Sequence, residues 1–148
     1  MRRVTSQVPD GRTQVPRRGT AAVEFAIAAP VLLLIAFGCT DLGRAIGSYV
    51  VVSNAARVGA EYGATHAYTS YTYASWQNQV TLQAQQEMQG SPTFNSNQLS
   101  VTVSTVPETG NLYLVTVTTT YPFSMFTSWP LLPQNFNLTH SVTMQRFR

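Results

Sequence analysis

Apolar residues follow three different rhythms along this chain, and each rhythm predicts a different kind of element. From Ala21 to Cys39 every residue is apolar, Gly or Pro except Glu24. At 1.5 Å per helical residue the run reaches roughly 28 Å, about one hydrocarbon core, which predicts a membrane-spanning helix. Beyond it Leu42, Ile46, Tyr49, Val50, Ser53, Ala56 and Ala60 recur at three- and four-residue spacings, as on one face of a continuing helix. One long helix from about Thr20 to Ala64 is therefore expected.

His66 to Ser75 is polar and aromatic without helical period and reads as a loop. Tyr73, Trp76, Val80, Ala84 and Met88 then return at helical spacing, and Gly90, Ser91 and Pro92 stop the pattern in the usual order. This predicts a second, amphipathic helix. In the third rhythm Leu99, Val101 and Val103 alternate with Ser and Thr, as do Tyr113, Val115, Val117 and Tyr121, so a β-hairpin is expected with Pro107 to Asn111 as its turn. Three prolines make Tyr121 to Asn137 an irregular crossover, and Leu138, His140, Val142 and Met144 suggest a third strand. The predicted fold is α+β: a long N-terminal transmembrane helix continuing into a small head with a second helix and an approximately three-stranded antiparallel sheet. The chain divides into a leader (1–19), the membrane-spanning and extended helix (20–64) and the head (65–148).

Charge changes this picture at one end only. All nine basic residues are arginine, and Met1 to Gly19 holds five of them with one Asp, net +4, whereas Thr20 to Arg148 carries four Arg and five acids, net −1. The basic balance belongs to the leader. With no basic face or stacking pattern elsewhere, nucleic-acid binding is not expected. Arg2, Arg3, Arg12, Arg17 and Arg18 before the span instead predict a cytoplasmic N-terminus and an external head. A secretory signal peptide competes for the same region, but the apolar run exceeds an ordinary signal core and no A-x-A site follows Cys39 closely. Cys39 is the only cysteine, so no intramolecular disulfide can staple the head.

Within the span, Glu24 is the residue that a plain anchor does not need. A carboxylate inside lipid costs on the order of 2.5 to 3.5 kcal/mol at the centre of a span and less near an end, which points to a partner, and the natural partner is an amine. Pro30 removes one helical hydrogen bond, a defect that neighbouring helices compensate in membranes. Gly43 and Gly47, then Gly59 and Gly63, stand four apart and would let another helix approach closely. Enzymatic chemistry is not in evidence. His66 and His140 have no metal-ligand spacing around them, no nucleophile elbow occurs, and the acids after residue 19 stand singly, so neither a metal nor a cofactor is expected.

Arg17-Arg18-Gly19 followed by Glu24 and Phe25, the apolar run with Pro30, the DLGRA segment at Asp41 to Ala45 and NAARVGAEYGA at Asn54 to Ala64 together resemble the TadE-like minor pilins (pseudopilins) of tight-adherence, Flp-type pili. The resemblance covers Arg17 to Ala64 and implies a non-enzymatic, structural or assembly role in cell adhesion. It implies cleavage after Gly19 by a prepilin peptidase, making Thr20 the new N-terminus and Glu24 the fifth mature residue, with Glu24 and Phe25 at the pilin pairing position. The implied partners are the bacterial inner membrane, the peptidase, other pilins or pseudopilins and the pilus assembly platform. The alternative is an uncleaved bitopic envelope protein whose periplasmic head binds a partner or substrate.

Overall fold

The computed structural model describes residues 18–90, 94–109, 112–129 and 132–147. The leader up to Arg17, with its arginines, lies outside them. Helix α1 runs from Arg18 to Thr65 and α2 from Tyr73 to Gln89, a short 3-10 turn covers Ser96–Gln98, and three strands follow: β1 (Ser100–Glu108), β2 (Leu112–Ser124) and β3 (Asn135–Phe147). The fold is α+β, with a long apolar N-terminal helix, a second helix and a three-stranded antiparallel sheet in the order β1-β2-β3. The chain forms two compact units, one ending at Ala36 and one running from Phe37 to Arg148.

In the first unit α1 passes through Pro30 as helix. Its large side chains, including Val23, Phe25, Ile27 and Leu32 to Ile35, are all exposed, as a segment solvated by lipid requires. Among the described residues α1 is the helix long and apolar enough to cross a membrane.

The second unit is built on a sheet whose two faces differ in chemistry because side chains alternate along each strand. On the outer face, register brings Thr116 opposite Thr143, Thr118 opposite Ser141 and Thr120 opposite Thr139. Their hydroxyls hydrogen-bond at 2.8, 2.7 and 3.1 Å, cross-strand pairs that suit a wet surface. On the inner face Val115, Val117, Thr119 and Tyr121 of β2 are buried beneath both helices. Helix α2 turns Trp76, Val80, Ala84 and Met88 inward, the face its periodicity predicts, and Gln77 Nε2 donates to the Val103 carbonyl of β1 at 3.2 Å.

The buried face of α1 agrees with the predicted stripe at Ala56 and Ala60 and departs from it before them. Leu42, Ile46, Tyr49 and Val50 are exposed, Leu42 by 61%. The residues turned inward are Asp41, Ser48, Val52, Ala55, Ala56 and Ala60, together with Gly59 and Gly63. The reason is distance. A Cβ added at Gly63 would lie 2.9 Å from Val115 Cγ1, and one at Gly59 would lie 3.2 Å from Val117 Cγ1. Only small residues allow helix and sheet to meet this closely, so size rather than hydropathy selects the packed face. At this contact Thr119 Oγ1 donates to the Val52 carbonyl of α1 at 2.9 Å, satisfying a buried hydroxyl.

The crossover is shorter than expected, since β2 continues to Ser124 and β3 begins at Asn135. Pro122 is tolerated in β2 because β1 pairs only as far as Thr120; beyond that point β2 has β3 on one side and needs no amide on the other.

Candidate functional site: the N-terminal helix and the Asp41 clamp

Gly19, Thr20, Glu24 and Phe25 all lie in the first two turns of α1 and all are exposed, with Phe25 at 68%. Among the described residues no ion pair reaches Glu24. The helix therefore presents this carboxylate outward from an apolar surface. Pro30 is exposed on the same helix. The four glycines divide into two kinds. Gly43 and Gly47 have no atom within 4 Å of an added Cβ, and Gly47 lines a groove of about 550 Å³ with Arg44, Phe94 and Tyr121. Gly59 and Gly63 are enclosed by the chain's own sheet and by Val80, Ala84 and Trp76 of α2.

Two residues past the apolar run, Asp41 is buried, with its side chain 5% exposed. It stands at i, i+3 to Arg44, but most of its partners lie on the β2–β3 loop. Its Oδ1 accepts from the Phe126 backbone N–H at 2.8 Å, and Oδ2 accepts from the Thr127 N–H at 3.1 Å and from Trp129 Nε1 at 3.3 Å. Arg44 is 3.4 Å from Oδ1. The carboxylate thus clamps the start of the β2–β3 loop onto α1, with the Trp129 ring over Gly38 at 3.5 Å from an added Cβ. No sequence spacing links residues 41 and 126; an acid placed directly after an apolar run is the only local signal.

The Phe126 amide above all, with the Thr127 amide, the Trp129 indole N–H and the Arg44 charge, outweighs burial and holds the Asp41 carboxyl below its ordinary value of 3.8. A carboxylate with a lowered folded value contributes stability that is present above its unfolded value and lost as pH falls through the folded one. The loop contact should accordingly persist at neutral and mildly acidic pH and open only as pH drops below about 3.8. Asp41→Asn should open it at neutral pH, because the amide group meets N–H donors with a donor of its own. Hydrogen exchange at the Phe126 and Thr127 amides reads both effects; equal protection in wild type and variant would remove the clamp.

At the other end of the head Arg146 is buried with its guanidinium 4.4 Å from the Tyr68 ring centroid and 5.9 Å from that of Tyr113, a cation–π stack that holds one loop tyrosine against the sheet. His140 Nδ1 is 3.0 Å from the Tyr49 hydroxyl, and His66 stacks on Tyr62 at 3.9 Å, so both histidines have structural partners. Among the described residues no group of three or more His, Cys, Asp or Glu side chains could hold a metal ion. Cys39 is a free, exposed thiol.

Residues 19–61 match the family of TadE-like proteins. The match takes in Gly19, Glu24, Pro30, Asp41, Gly43, Gly47 and Gly59, and it stops before Gly63, α2 and the sheet. No curated protein and no solved structure matches the chain. The match falls on the helix that is long and apolar enough to cross a membrane.

Proposed function

We propose that this protein is a minor pilin-like (pseudopilin) component of a tight-adherence pilus, structural or assembly-related rather than enzymatic. It is held in the inner membrane by α1, cleaved after Gly19 by a prepilin peptidase and joined to other pilins along that helix. The observation that carries the reading is the TadE-like match on a helix whose large apolar residues, with Gly43 and Gly47, face outward. Leu42, Ile46 and Val50 leave an apolar stripe uncovered by the chain's own head, beside the open positions Gly43 and Gly47. Such a stripe is suited to receive another helix.

Glu24 supplies the register. In a low-dielectric helix bundle its carboxylate pairs with the ammonium of a processed N-terminus, on its own or a neighbouring chain, and a displaced neighbour would leave both charges unpaired. The five leader arginines place the N-terminus in the cytoplasm and the head outside. Mass spectrometry of the membrane-purified protein tests the processing step and should find Thr20 first. An intact leader in cells with an active prepilin peptidase would rule the pilin reading out in favour of an uncleaved envelope protein with a partner-binding head. A terminus beyond Cys39 would mean a secretory signal.

A further inference from the structure

Among the described residues of the loop between β2 and β3, two large apolar side chains are exposed and a third, Trp129, is half-buried against α1. Phe126 is 77% exposed and Leu132 56%, while Trp129 packs on Gly38 and gives its indole N–H to Asp41. Phe126 and Leu132 are left uncovered by the other described residues. Gly38, however, belongs to the apolar run of α1, so a ring seated on Gly38 lies at the depth where that run ends.

We propose that this loop is a membrane-interface anchor: Phe126, Trp129 and Leu132 enter the headgroup region of the bilayer that α1 spans, on the side of the head, and Asp41 holds them there. The proposal rests on α1 being a membrane helix, as inferred above. Three features favour lipid as the occupant. The patch is continuous with the apolar run, through the Trp129–Gly38 contact. Tryptophan with an apolar body and a satisfied N–H is the residue that settles at a membrane–water boundary. The backbone amides of Phe126 and Thr127, which would be costly to bring unpaired into a region poor in water, are already bonded to the Asp41 carboxylate. Arg44, with a side chain 46% exposed and six residues beyond Gly38, adds a positive charge at the level of lipid phosphates.

Trp76 and Trp129 are the only tryptophans, and Trp76 is buried in the head. The full chain is therefore reconstituted in phosphatidylcholine nanodiscs containing lipids brominated near the headgroup or near the bilayer centre, and its fluorescence is compared with that of Trp129→Phe. Wild type should show quenching by the shallow bromines that exceeds quenching by the deep ones and is absent from Trp129→Phe. Asp41→Ala, its fold checked by circular dichroism, should lose the shallow quenching; the first comparison stands without this variant. A chain that incorporates into the discs, yet whose Trp129 emission is unquenched, overturns the loop proposal and leaves the membrane helix in place. Unquenched emission that shifts to the blue as more chains are loaded per disc also overturns it, by making a second copy the occupant. A chain that fails to incorporate removes the membrane reading and this proposal together.

Discussion

Met88→Ala is expected to destabilise the head by about 2–5 kcal/mol, the range for truncating a fully buried Met. Met88 is wholly inaccessible and sits where the last turn of α2 meets Val52 and Ala55 of α1, Leu99, and Tyr121 and Phe123 of β2. Several of its neighbours belong to different elements, and Ala55 and Ala84 are too small to expand into the vacated volume. The cavity should therefore persist, which places the cost in the upper part of the range. Against a typical total of about 5–15 kcal/mol for a domain, such a loss leaves the head marginal. Thermal unfolding in detergent, followed by circular dichroism, measures it. Leu82→Ala on the same helix, where Leu82 is 45% exposed, should change stability by no more than about 0.5 kcal/mol. Equal effects at the two positions would show that α2 does not pack as described.

The contrast between these two leucine-sized side chains was visible in the sequence, because α2 is a polar helix in which Trp76, Val80, Ala84 and Met88 alone keep a regular period. The strands were legible for the same reason: alternation of Val with Thr or Ser sorts each residue to one face, and the register follows. The extent of β2 and β3 was hidden by Pro122, since a proline counts against a strand until it is known that the neighbouring strand has ended. Helix α1 misled in a different way. Membrane-facing and exposed positions on it are as apolar as its packed ones, so hydropathy has no contrast from which to choose a face. Gly59, Ala60 and Gly63 are selected by how closely β2 approaches, a distance that exists only in the fold. Asp41 was unreadable because its partners lie more than eighty residues away and offer backbone amides, which every residue but proline possesses.

Glu24→Leu should leave membrane insertion intact and abolish assembly. On the insertion side the change removes a carboxylate from an apolar segment and can only ease entry into lipid, by an amount limited to about 2.5–3.5 kcal/mol even for a central position. Processing after Gly19 should also continue if the peptidase reads Gly19 and the basic approach to it. On the assembly side the proposed pair loses one member, and an ammonium is left without a counter-charge where water is scarce. Removing one partner of such a pair weakens a contact far more than replacing both, and at about 1.4 kcal/mol per decade the association should fall by roughly a hundredfold or more. Glu24→Asp separates charge from geometry, since it keeps the carboxylate on a side chain one methylene shorter; partial recovery of assembly would identify the charge itself as the determinant. The comparison needs three readings for each variant: abundance in the membrane, the mature N-terminus, and co-purification with other pilins. A Glu24→Leu protein that inserts, is cleaved and co-purifies normally would end the pairing hypothesis. Glu24 would then be a headgroup-level residue near the inner end of the span, tolerated because its side chain can reach the interface.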